Sequence, residues 1–331
     1  MEKARFKWVL RERNRKIAAK TEVFTEQQAR RVRSFHSSFK EYSPTPLIEL
    51  TSLAQHLGIK NLFVKDESYR FGLNAFKVLG GSFAIGSYIA NELGEDIDDL
   101  PYMRLVSDEV RSLLGSKTFI TTTDGNHGRG VAWTANRLKQ QAIVYMPQGS
   151  AAERLANIRA EGAQAEITDM NYDDTVRYTS ELAQKNGWII VQDTAWDGYT
   201  RIPLWIMQGY MTMALEAYEQ LPVKPTHIFL QAGVGSLAGS VQGFFADIYG
   251  SSCPLTFIVE PKGADCLYQT AAANDGSLHS VTGRLETIMA GLACGEPNSI
   301  AWEILGNLSD GFISCPDYTL SLIHISEPTR Q

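Results

Sequence analysis

The sequence predicts an α/β chain of two open parallel-sheet domains covered by helices. Short apolar runs of strand length alternate with amphipathic stretches of helix length from Leu62 to Val259. Strands and helices in strict turn mean parallel sheets buried on both faces. Glycine-rich loops also fall where strands hand over to helices, at Gly125–Gly130 and Gly233–Gly239.

A chain of 331 residues can bury a large core and hold two domains. Its 44% hydrophobic and 21% charged residues are ordinary for a globular protein. The net charge of −6 argues against a nucleic-acid surface. No apolar run reaches the roughly eighteen residues of a membrane span. The start, Met1–Arg5, lacks the apolar core of a secretory signal, so a cytoplasmic protein is expected. The four cysteines, Cys253, Cys266, Cys294 and Cys315, form no C-x-x-C pair. Zinc is therefore not expected, and buried thiols are the simplest expectation.

Taken in order, residues 1–34 are basic, with Arg11, Arg13, Arg15 and Lys16 close together, and read as a solvated terminal helix. Tyr42–Leu47 is extended, since a residue before proline avoids helix. Leu50–Leu57 reads as a helix and Leu62–Val64 as a strand, followed by the polar turn Lys65–Ser68. A helix with an apolar face of Val78, Phe83, Ala84, Ile85, Tyr88 and Ile89 comes next. Residues 91–117 open with Glu92, Glu95, Asp96, Asp98 and Asp99, then turn helical, and read as a surface insertion. The regular alternation follows. Strands are expected at Thr118–Thr122, Ala142–Met146, Gln164–Ile167, Trp188–Val191, Thr226–Leu230 and Leu255–Val259. Helices between them are expected at Asn126–Gln140, Ala151–Glu161, Tyr172–Lys185, Pro203–Glu219 and Ser236–Tyr249. There is no internal repeat.

Three stretches carry chemistry. The first is Asn74–Gly81, which places Lys77 at a strand-loop-helix junction beside a buried face. Desolvation lowers a lysine's pKa toward the neutral amine, and a neutral amine attacks a carbonyl to form a Schiff base. Position alone leaves a snorkelling lysine open. The second is Thr121–Gly130. Its glycines allow a tight turn whose N–H groups, at a helix start, can hold a carboxylate. Asn126 can donate to a phenolate, and Asp124 can move a proton. An aspartate N-cap explains one or two of these residues, but not three glycines among Asp, Asn and His. The third is Gln231–Gly239, a loop able to cradle a phosphate. With Glu260 ending the next strand it also matches a dinucleotide fingerprint, which leaves a nicotinamide dehydrogenase open.

Together the three stretches resemble the fold-type-II pyridoxal-phosphate enzymes. The wording of Asn74–Lys77, Asp124–Gly130, Thr168–Asp174, Val191–Trp196 and Met289–Pro297 is similar to the diaminopropionate ammonia-lyases. The similarity runs from about Phe35 to about Tyr318. It implies pyridoxal 5'-phosphate bound as a Schiff base to Lys77. Asn126 would bond its ring oxygen, and the N–H groups of Gly233, Val234, Gly235, Ser236 and Leu237 its phosphate. The implied reaction is α,β-elimination of 2,3-diaminopropionate, D and L, to pyruvate and two ammonia. Lys77 would be the base on one face and Asp124 on the other. Asp193 would receive a substrate ammonium, with a strand-end cap as the alternative.

By the same resemblance Thr122, Thr123, Asp124, Gly125 and Asp193 bind substrate. Thr122 or Thr123 stands where serine and threonine dehydratases have the serine of Ser-x-Gly-Asn-His. His127 orders the loop. Residues 1–82 and 193–331 form a large cofactor-binding domain, and 83–192 a small domain carrying the Asp124–Asn126 loop. The family is dimeric, and a Cys266–Cys294 bridge stays open. A serine or threonine dehydratase is the nearest alternative, against which Asp124 argues. Leu320–Gln331 has no counterpart in the family, whose further glycine-serine loop, helices and last strand are not found. A truncated or chimeric end is expected there, and an inactive fragment is a further alternative.

Overall fold

The structure is a computed structural model and describes residues 6–12, 21–123 and 125–320. Its strands are β1 Lys7–Leu10, β2 Leu47–Glu49, β3 Phe63–Lys65, β4 Thr118–Thr122, β5 Gln141–Met146, β6 Gln164–Ile167, β7 Ile189–Ile190, β8 His227–Gln231, β9 Leu255–Pro261 and β10 Gly311–Cys315. Its helices are α1 Glu26–Ser37, α2 Thr51–Leu57, α3 Lys77–Leu93, α4 Tyr102–Leu105, α5 Asp108–Leu114, α6 Asn126–Arg137, α7 Ala152–Ala160, α8 Tyr172–Asn186, α9 Arg201–Gln220, α10 Ser236–Tyr249, α11 Cys266–Ala273 and α12 Ser299–Leu308. Among these residues one unit comprises 23–123, 125–193 and 201–225. The other comprises 6–12, 21–22, 194–200 and 226–320.

In the first unit the sheet order is β6-β5-β4-β7, all parallel. Central β4 is buried from Phe119 to Thr122, as a parallel strand with helices on both faces should be. α3 is buried around most of its circumference and packs between α9 and α6. Its crossing with α9 is close because both helices place a glycine there. A methyl on Gly80 would lie 2.7 Å from both Ile206 Cγ2 and Tyr210 Cε1. A methyl on Gly209 would collide with the Leu79 carbonyl oxygen and lie 2.7 Å from Gly80 Cα. His36 of α1 ties the same place together. Its Nε2 donates to Leu79 O at 3.0 Å, so Nδ1 accepts from the Thr212 hydroxyl at 2.7 Å. The ring is fully buried; desolvation, aided by the nearby Arg70 charge, lowers its pKa to about 3 and keeps it neutral.

A buried ionic cluster fastens the far half of α9. The Arg70 guanidinium, with no exposed surface, donates to both Glu216 oxygens at 2.8 and 2.7 Å and to both Glu67 oxygens at 2.8 Å. Lys65 Nζ stands 2.8 Å from Glu216 Oε2. Burial pushes the Glu216 carboxyl up, but Arg70 and Lys65 outweigh it and hold it at about 2.

The second unit has the order β1-β10-β9-β8, with β8, β9 and β10 parallel and β1 antiparallel to β10. The terminal helix expected over 1–34 is corrected here. Lys7–Leu10 is a strand, and among the described residues helix begins at Glu26, with Thr25 as its N-cap. Arg13, Arg15 and Lys16 lie outside the described residues. β1 forms because β10, some three hundred residues away in sequence, offers it an edge; no local periodicity announces that pairing. Among the described residues, one face of this sheet carries exposed apolar side chains. Its register puts Leu10, Gly311, Phe257 and Phe229 in one row, beside Trp8, Ile313 and Val259. Trp8, Leu10 and Phe229 on that face are 66%, 68% and 62% exposed.

The stretch 91–117 holds a 3-10 turn, α4 and α5, and inserts Leu100, Leu105 and Val110 into the core. All four cysteines are thiols, so no Cys266–Cys294 bridge is present. Among the described residues no helix is long and apolar enough to cross a membrane. Residues 321–331 lie outside the description.

Candidate active site

Lys77 is the first residue of α3. The turn that delivers it includes Asn74 at φ +57°, a left-handed conformation that asparagine tolerates. Its side chain reaches the segment just beyond β7, where Nζ lies 2.7 Å from Asp193 Oδ2. The pair is largely enclosed, with side-chain exposures of 19% and 7%. Burial alone would push the Asp193 carboxyl up. The Lys77 ammonium, with His127 and local hydrogen bonds, outweighs burial and holds it at about 2.

The residues around Asp193 are fixed from β4 and α6. Gln192 Oε1 accepts from Thr122 N and Thr121 Oγ1, both at 3.0 Å, and Gln192 Nε2 donates to the Tyr172 hydroxyl at 2.9 Å. His127 Nε2 donates to Val191 O at 2.7 Å. His127 thus joins the start of α6 to the residues preceding Asp193. Asn126, the first residue of α6, is exposed, and Gly125 before it is buried. Thr122 Oγ1 is turned toward α8, 2.7 Å from Thr179 Oγ1 and 3.2 Å from Thr175 O. Thr123 Oγ1 accepts from Gly125 N at 2.9 Å. Asp124 lies outside the described residues.

The glycines of this stretch do more than turn the chain. Gly128 and Gly130 lie within α6. A methyl on Gly130 would sit 2.8 Å from Val78 Cα and 3.0 Å from Val78 N. One on Gly128 would collide with the Thr123 side chain. The missing side chain at Gly130 lets α6 lie directly against the first turn of α3, the turn that carries Lys77.

In the second unit, β8 leads through Ala232–Gly235 into α10. Gly235 is the N-cap of α10 at φ +99°, a left-handed value suited to glycine. A Cβ there would also crowd Leu267, Ala301 and Leu305 at 3.2–3.3 Å. Asn298 holds the loop from behind: its N donates to Val234 O and its Nδ2 to Ser236 Oγ, each at 2.8 Å. A helix start has first-turn N–H groups without internal acceptors and the positive end of the helix dipole, a combination that suits a phosphate.

Glu260 is not a ribose-binding acid. It is 1% exposed, its oxygens accept from Leu267 N at 2.9 Å and Tyr268 N at 2.7 Å, and it caps α11. Burial pushes its carboxyl well above the usual range. The dehydrogenase alternative loses the acid it needs.

Sequence reasoning singled out Lys77, Asp193 and the glycine loop, but not what supports them. Gln192, Gly80, Gly209, His36 and Tyr210 were given no role. Glycines inside two apolar helices were the available sign of a close crossing.

A lysine amine beside a carboxylate, with a glycine-lined helix start elsewhere in the chain, fits the aldehyde and phosphate ends of pyridoxal phosphate. The two donor sets together define a pyridoxal-phosphate enzyme. Residues 39–320 match the family of pyridoxal-phosphate dependent enzymes, and the chain belongs to that family. Within it, the similarity is to diaminopropionate ammonia-lyases. The chain is 53% identical over 290 residues to that enzyme from Salmonella typhimurium strain LT2, spanning 86% of this chain and 72% of the relative. The holo crystal structure of the Escherichia coli diaminopropionate ammonia lyase superposes with a TM-score of 0.88 at 49% identity, covering 96% of this chain and 79% of that one. The same enzyme solved with D-serine gives 0.87 at 49% identity, with the same coverage.

Proposed function

We propose that this chain catalyses pyridoxal-phosphate-dependent α,β-elimination of 2,3-diaminopropionate, D and L, consuming one water and yielding pyruvate and two ammonia. The observation that carries this is the enclosed Lys77–Asp193 pair: an amine able to hold an aldehyde, and a carboxylate already bonded to an ammonium. Bound pyridoxal phosphate supplies the aldehyde and a ring that takes up the electrons left when the α-proton departs. Lys77 Nζ would hold the aldehyde end of the cofactor and would be free to act once the substrate amine is bound there. Freed, that amine removes the α-proton on one face of the substrate. Asp124 is assigned the same task on the opposite face, so both isomers are accepted.

Asp193, ionised down to about pH 2, receives the substrate ammonium in place of the lysine's. Asn126 donates to the ring oxygen. Gly233, Val234, Gly235, Ser236 and Leu237 give backbone N–H groups to the phosphate. Thr123 and Gly125 hold the substrate carboxylate. Thr122, whose hydroxyl is bonded to α8, is dropped from that set. Residues 1–82 and 193–331 act as the cofactor-binding domain and 83–192 as the small domain. In support, all strands of the β6-β5-β4-β7 sheet fall within 118–190. A homodimer and a cytoplasmic location complete the proposal, to be checked by sedimentation and fractionation.

The test is the visible spectrum of the purified chain with pyridoxal phosphate, before and after DL-2,3-diaminopropionate, with pyruvate assayed alongside. A bound-cofactor band that is absent in Lys77→Ala, with pyruvate formed, is the expected result. No band from folded protein overturns the proposal. Turnover of serine or threonine in preference to diaminopropionate would make it a dehydratase.

A further inference from the structure

Tyr210 of α9 is 1% exposed, and its hydroxyl has no hydrogen-bond partner. Leaving a buried hydroxyl unbonded costs stability, so a partner in another state of the protein is the natural reason to keep it. Its surroundings say which partner. The ring lies on the notch at Gly80, one turn beyond Lys77, with the hydroxyl-bearing carbon 2.9 Å from where a Gly80 methyl would be. It also meets the ring of Phe76, the residue before Lys77, edge-on at 5.1 Å. Burial chiefly, and then the Asp193 charge, push the hydroxyl's ionisation up, while the Lys77 ammonium pulls it down; both charges act on it. It therefore remains an O–H donor within electrostatic reach of a carboxylate whose cation is Lys77.

We propose that Tyr210 is a positioning residue for Asp193: its O–H donates to the Asp193 carboxylate when Lys77 gives up the ion pair. This rests on Lys77 being the cofactor-holding amine, the step that takes its charge from Asp193. Tyr210 then keeps the carboxylate in place for the substrate ammonium. The hydroxyl is idle in the state described and bonded in the working one.

The test is a double-mutant cycle on the cofactor-free chain, read by melting temperature, with Tyr210→Phe made alone and in a Lys77→Met background. With Lys77 present the substitution removes an unbonded hydroxyl, so the melting temperature should hold or rise. In Lys77→Met the hydroxyl is Asp193's donor, and the substitution should lower it by several degrees. Equal effects in both backgrounds would mean that the ring merely packs, and would overturn the proposal. In the loaded enzyme Tyr210→Phe should raise KM for diaminopropionate about tenfold with kcat much less affected, as loss of one bond to a charged group predicts. An unchanged KM would also overturn it. The cycle needs no cofactor, so its outcome is separate from the spectral test of Lys77.

Discussion

Lys77 Nζ and Asp193 Oδ2, 2.7 Å apart, join the first turn of α3 to the end of the β6-β5-β4-β7 sheet. Neither residue can be replaced without leaving the other's charge largely enclosed. The pair is a structural contact and, in the proposed function, the reaction centre, and the two roles separate by experiment. Asp193→Asn should keep the bound-cofactor absorption band while lowering kcat/KM for diaminopropionate by about ten- to a hundredfold, the loss of a charge-assisted bond to the substrate ammonium. Unchanged kcat/KM would remove Asp193 from the site.

Acid should unfold the protein in stages. His36 has its pKa lowered from 6.5 to about 3, so the unfolded chain takes up a proton there before the folded one does. Its contribution is complete above 6.5 and falls away as pH drops toward 3. Asp193 and Glu216 are held at about 2, against ordinary values of 3.8 and 4.5. Their contributions are complete above 4.5 and are lost as pH falls through 2. Urea unfolding at a series of pH values should show a decline that begins near 6.5 and steepens below 4.5. His36→Gln should flatten the first part only.

Glu216→Gln should be severely destabilising. It leaves the fully buried Arg70 with only one of its two carboxylates, Glu67, and takes the counter-charge from Lys65, a change of about 3–5 kcal/mol for a broken buried pair. Replacing both partners by apolar residues, Arg70→Met with Glu216→Leu, should destabilise as well, because Lys65 and Glu67 then lose their bonded counter-charges. Thermal melts of the two variants decide it.

Alanine at the helix crossing should act against helix propensity. Gly→Ala within a helix ordinarily stabilises by about 1 kcal/mol. At Gly209 the new methyl meets backbone, the Leu79 carbonyl and Gly80 Cα, which cannot yield without moving α3. At Gly80 it meets the Ile206 and Tyr210 side chains, which have some room to turn. Both should destabilise, Gly209→Ala more, by about 1–3 kcal/mol of overpacking or beyond. Equal or raised melting temperatures would show that the helices can part.

Much of this fold is legible locally. β4, β6 and α10 begin and end where the apolar periodicity of Thr118–Thr122, Gln164–Ile167 and Ser236–Tyr249 places them. The misreadings are non-local. Lys7–Leu10 is a strand only because β10 pairs with it. Glu260 stands where a ribose acid would, yet the helix it caps lies beyond the strand, in a turn the motif does not specify. Lys77 and Asp193 were each singled out, but 116 residues separate them, and only the fold makes them a pair. Tyr210 left no sign, since a tyrosine inside an apolar helix reads as core until its hydroxyl is found unbonded.

The crossing of α3 and α9 bears on how Lys77 is held. Gly209 meets the backbone of Leu79 and Gly80 directly, while Gly80 receives the side chains of Ile206 and Tyr210, so neither glycine can gain a side chain without parting the two helices or moving those side chains. The start of α3, and with it the amine of Lys77, is thereby held in register against α9 by two residues whose contribution is the side chain they lack.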